Sequence, residues 1–126
     1  MQSGHINIDT AHLWLDEIAA ELPEPLFTGL NGGICLLPNV KYNPLGRNGE
    51  LLILGEYITN HNMGRYINIY FGSIAQAYPF VTPECFKDRL REVLLHEFTH
   101  HLESLAGEKD LVIEDMRFLR RYLANP

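Results

Sequence analysis

The stretch from Thr82 to Gly107 constrains this chain most, because it reads as one long helix that must pack on a core. Thr82 is a suitable N-cap, Pro83 fits the first helical position, and Glu84 puts negative charge where the helix dipole favours it. Phe86, Leu90, Val93, Leu94, Phe98, Leu102 and Leu105 recur at three- and four-residue steps and define a broad apolar face. Gly107 supplies the stop.

Inside that helix lies His96-Glu97-Phe98-Thr99-His100. Residues four apart on a helix are rotated by about 40° and separated by roughly 6 Å along the axis, so two imidazoles at that spacing can share one cation. Glu97 falls beside the pair, where its carboxylate can take a proton from water activated by the metal. The pattern predicts one zinc ion held by His96 and His100, Glu97 as general base, and hydrolysis of peptide bonds. The pair borders the apolar face, the boundary at which a catalytic metal with an open position is expected. The bland alternative for such a string is a surface helix with solvated histidines.

Composition bounds the rest. With 126 residues and 46% hydrophobic content, the expectation is a single domain over residues 1–126, with a core that needs no disulfide. The net charge of −6, with Arg117, Arg120 and Arg121 as the one basic cluster on a solvated helix face, argues against nucleic acid and anionic membranes as partners. Met1 to Asp9 lacks a signal-peptide pattern, and no apolar run approaches the ~20 residues that span a bilayer. The expected location is the cytoplasm. Cys35 and Cys85 show no C-x-x-C spacing and are expected as free thiols. No G-x-S-x-G elbow occurs, so a nucleophilic hydrolase has little support.

Around the long helix the pattern predicts an α+β fold. Asp9 or Thr10 can cap a first helix carrying Leu13, Trp14, Ile18 and Leu22, ended by Pro23. Ile34 to Leu37, Leu51 to Ile58 and Tyr66 to Phe71 read as about three strands of a small mixed sheet, separated by turn residues. In the last, Ile67, Ile69 and Phe71 alternate with Tyr66, Asn68 and Tyr70, so one face is buried; if it is an edge, a substrate strand can pair with it. Ser73 to Pro83 reads as a loop. Ile113, Met116, Leu119, Tyr122 and Leu123 predict a closing amphipathic helix.

The chain resembles the small predicted zinc-dependent peptidases with a matrix-metalloprotease-like domain, similar to the Asp-zincins. The residues carrying the resemblance are His96 to His101, the preceding Arg91-Glu92-Val93-Leu94-Leu95, the strand Arg65 to Phe71 and the helix exit Leu22-Pro23. It implies a minimal zincin-like fold, one zinc ion and a peptide or protein substrate. The Asp-zincin motif has a glycine three residues and an aspartate six residues after the second histidine, whereas Gly107 and Asp110 come seven and ten later. The extra four residues amount to about one helical turn, and Asp110 reaches the metal only if the chain folds back. Asp110 is the first choice as third ligand and Asp115 the second, with Glu103 and Glu114 as further candidates.

His101 is rotated by about 100° from His100, which suits packing or an outer contact better than ligation. His5, His12 and His61 have no ligand spacing. Tyr66, Tyr70, Tyr78 and Tyr122 are available to stabilise an oxyanion. The competing function class is a metal-stabilised binding or regulatory module of the same fold with weak or no turnover. Composition and spacing leave the oligomeric state open.

Overall fold

The computed structural model describes residues 6–46, 51–106 and 113–124. In chain order the elements are α1 (Ile8–Glu21), a 3₁₀ turn (Glu24–Phe27), β1 (Gly33–Leu37), β2 (Lys41–Tyr42), β3 (Leu52–Ile53), β4 (Gly55–Asn60), β5 (Gly64–Tyr70), α2 (Phe71–Ala77), α3 (Pro83–Ala106) and α4 (Ile113–Ala124). The fold is α+β, with four helices and a three-stranded sheet of order β1-β5-β4 among the described residues, plus a small β2-β3 ribbon. No described helix is long and apolar enough to cross a membrane.

The sheet is mixed. β5 runs parallel to β1, with Ile34 opposite Ile67, and antiparallel to β4, with Tyr57 opposite Ile67. β4 and β5 form a hairpin whose turn is held by the Asn60 side chain, which accepts from the backbone N–H groups of Asn62 and Met63. Gly64 closes that turn at φ +76°, where an L side chain is strained. Because strand side chains alternate, Ile34, Leu36, Ile67 and Ile69 face the helices, and Cys35, Tyr66 and Asn68 face the other way.

The core lies between that sheet face and helices α1 and α3. Ala11, Leu15 and Ile18 of α1 meet Phe86, Leu90, Leu94 and Phe98 of α3, all buried with Ile67 and Ile69. Each such fully buried Leu, Ile or Phe contributes about 1.5–3 kcal/mol, so the packing sets where α3 lies. α3 starts as its sequence predicts: the Thr82 hydroxyl accepts from the Cys85 N–H and the Thr82 carbonyl from the Phe86 N–H. Leu119 of α4 is fully buried in the same core, while Arg117, Arg120 and Arg121 are exposed.

Several expectations need correction. The cap of α1 is Asn7, whose side chain accepts from the Thr10 N–H, so Asp9 and Thr10 lie inside the helix. The run Leu51 to Ile58 breaks at Leu54: β3 pairs with β2, and β4 joins the main sheet. Phe71 opens α2, so half of the expected Ser73–Pro83 loop is helical. Buried Ser73 sits at its start, accepting from the Lys41 N–H and donating to the Lys41 carbonyl. Most consequentially, Tyr66 to Phe71 is no edge. β5 is the central strand, and β4 borders the cleft.

Candidate metal centre and cleft

α3 carries the site because its two sides have different neighbours. Phe98 is fully buried and holds the middle of the His96–His100 turn against the core, while both histidines are exposed. Their rings stand perpendicular, at 89° and 4.8 Å between centroids, and their Nε2 atoms converge to 3.3 Å. Two imidazole nitrogens bound at about 2.0–2.1 Å to one tetrahedral zinc lie about 3.3 Å apart, so the pair has the spacing of a chelate. Behind His100, Glu103 Oε1 is 3.3 Å from Nδ1. An Nδ1–H donated to that carboxylate leaves the lone pair on Nε2, the tautomer a metal requires.

Glu97 is 5% exposed and flanks the pair. Burial pushes its carboxyl above the usual glutamate value; the His96 and His100 charges pull it down, and Glu56 pushes it up again. Among the described residues no side chain hydrogen-bonds this carboxylate, so its oxygens remain available to a water or a substrate.

The opposite wall of the cleft is β4. A cavity of about 420 Å³ runs along Leu52 to Gly55, Tyr78, Arg89, Val93, His96 and Glu97. It meets a second, shallower one of about 450 Å³ lined by Glu56, Tyr57 and His100, and Gly55, His96 and Glu97 belong to both. The Tyr70 N–H donates to the Leu54 carbonyl, which fixes the alternation of the β4–β5 ladder. Gly55, Tyr57 and Thr59 therefore turn their N–H and C=O groups away from β5, along the free edge beside the histidines. Gly55 is required there, because a Cβ would come within 2.8 Å of Val93 Cγ1 and 3.3 Å of Glu97 Cγ.

His101 is separate from the pair, as its rotation predicts. It is fully buried; Nε2–H donates to the Thr28 carbonyl at 2.8 Å, and Nδ1 accepts from the Tyr57 hydroxyl at 2.9 Å. Burial pushes its pKa down, partly offset by the Thr28 carbonyl, and the Arg65 charge pushes it down further. His101 thus ties α3 to β4 and to the chain before β1.

No third donor joins His96 and His100 among the described residues. Glu103 lies on the Nδ1 side of His100, away from the convergence point; Glu114 is exposed and Asp115 half-buried on α4. Asp110 and His5 lie outside the described residues, and His12 and His61 are exposed. Of the tyrosines singled out, Tyr78 lines the cleft, whereas the Tyr70 hydroxyl donates to Glu56 at 2.6 Å. Sequence reasoning missed Gly55, Tyr57 and Arg89. Only Arg89 left a signal, seven residues before His96 on the same helical stripe.

No family model matches the chain, and no curated protein matches it. A solved structure, a conserved hypothetical protein from T. thermophilus, is similar at a TM-score of 0.65 and 29% identity, covering 81% of this chain and 99% of its own. The likeness extends over the fold, and that protein's description states no activity.

Proposed function

We propose that this chain is a zinc-dependent peptidase of minimal zincin type, with one ion held by His96, His100 and a carboxylate, and with Glu97 as general base. The observation that carries the reading is the 3.3 Å convergence of two Nε2 atoms next to a buried glutamate in an open cleft. Asp110 remains the first choice for the third donor, although it stands four residues beyond the position of the Asp-zincin aspartate. A zinc ion bound there supplies a Lewis acid that polarises a carbonyl and draws the pKa of water toward ~7.

The protein's own groups do the remainder. Glu97 takes the proton of the attacking water and returns it to the leaving amine. The outward N–H and C=O groups of Gly55 and Tyr57 align an extended peptide along α3 by adding a strand to the sheet. Glu103 orients His100 from behind. The free cysteines suit the reducing cytoplasm.

The test is zinc content after purification without chelator, combined with cleavage of an unstructured peptide mixture. Wild type and Glu97→Gln are expected to hold about one zinc each, as in mononuclear sites of this kind, and wild type alone to cleave. Metal without cleavage by either protein favours the binding module. Absence of metal affinity sinks both.

A further inference from the structure

We propose that Arg89 anchors a substrate carboxylate, so that the cleft selects extended peptides with a carboxylate about three residues from the bond that is cut. The proposal rests on the peptidase reading and names its substrate class. Arg89 and His96 are seven residues apart on α3, which places them within about 20° around the helix and about 10 Å apart along it. Both line the cavity of about 420 Å³, between apolar walls that include Leu52, Leu54 and Val93. An extended chain advances about 3.3 Å per residue, so three residues fill the interval.

The guanidinium is oriented but only half used. It sits 5.8 Å from the centroid of the Tyr78 ring, and Nη2 donates to Glu92 Oε2 at 2.9 Å. Nε, on the same edge of the guanidinium, is enclosed and has no acceptor among the described residues. That edge carries two parallel N–H groups spaced for the two oxygens of one carboxylate, the enclosed Nε becoming reachable once Glu92 swings away. Glu92 satisfies one of them from a side chain that is 63% exposed and free to swing into solvent. An incoming carboxylate that bridges Nε and Nη2 replaces one hydrogen bond with two and leaves Glu92 hydrated. The carboxylate comes from a peptide C-terminus or from an aspartate or glutamate side chain.

The experiment measures binding, by calorimetry, to zinc-supplemented and to metal-free Glu97→Gln protein. Three probes share one short apolar sequence: a free-acid peptide, its C-terminal amide, and an amide carrying glutamate at the last position. The free acid, the glutamate peptide or both are expected to bind about 10-fold or more tightly than the plain amide, the size of a charge-assisted pair. Preference for the free acid identifies the chain terminus as the ligand; equal preference identifies any carboxylate. Arg89→Gln is expected to abolish the difference and Arg89→Lys to restore part of it. Glu92→Gln is expected to tighten carboxylate binding by removing the competitor. A merely structural Arg89–Glu92 pair weakens binding with either substitution, and that result, or equal binding of all three probes by unaltered Arg89, overturns the proposal. Carboxylate selectivity without cleavage by wild type sinks the peptidase reading alone; cleavage without selectivity sinks Arg89 alone.

Discussion

Two stripes of α3, about 100° apart, use the same residue type in opposite ways. On the cleft stripe His96 and His100 are exposed and point Nε2 at Nε2. On the core stripe His101 is fully buried, with both nitrogens committed to Tyr57 and Thr28. An imidazole with both nitrogens bonded inside the protein is a cross-tie; one with a lone pair facing a cleft is a ligand in waiting. The helix backbone decides which is which, because Phe98 and Leu105 lock its rotation against the core.

This contrast predicts a clean division of effects. Largest, Glu97→Gln should lower kcat/KM by about 10²–10⁴-fold while leaving thermal stability unchanged or higher, since a buried carboxylate is replaced by a neutral amide. A comparable loss of stability, measured by thermal unfolding, would break the division. Next, Phe98→Ala should cost about 3–5 kcal/mol in denaturant titrations yet leave the zinc stoichiometry of the folded fraction intact. Gly55→Ala should cost about 1–3 kcal/mol and also slow cleavage, because the added methyl pushes β4 from Val93 and Glu97. His101→Leu should cost a similar amount by orphaning the Thr28 carbonyl and the Tyr57 hydroxyl, with zinc content unchanged.

The smallest expected effect lies outside both stripes. Burial pushes the Glu56 carboxyl up, but the Lys41 ammonium and Tyr70 hydroxyl outweigh it and leave it below the usual value. Its contribution is therefore present above the ordinary glutamate pKa of 4.5 and fades as pH falls through the lowered value. Hydrogen bonds from Lys41 to Glu56 and Tyr70 raise the lysine, so its share is full below 10.5 and fades as pH rises through the raised value. With both side chains partly exposed, Glu56→Gln should cost about 0–1 kcal/mol at neutral pH and flatten the acid limb of a stability profile.

How far the sequence reveals this molecule follows from the range of each interaction. α3 was legible from cap to last apolar residue, because caps and periodicity act within a few residues, and the His96–His100 spacing is a property of that helix alone. Asn7 capped α1 in place of Asp9 or Thr10, a shift of two or three residues that Ile6 and Asn7 gave no periodicity to locate. The β2–β3 ribbon is two residues deep on each side, too short for alternation to register. That β4 and not β5 forms the edge is a matter of strand order, which long-range packing determines, whereas the alternation in β5 reports only which of its faces packs on the helices. The need for Gly55 arises only once β4 lies against Val93.

The open flank of β4 has a consequence for solution behaviour. A row of unsatisfied amides is a template for any extended chain, so a bare edge strand risks recruiting neighbouring molecules into aggregates. Here the exposure is brief: the strand has six residues, enters at a glycine and leaves through Thr59 and Asn60 into a tight turn, so the ribbon is too short to nucleate a stack. Lengthening it or making its outlet apolar would trade access to the cleft for precipitation.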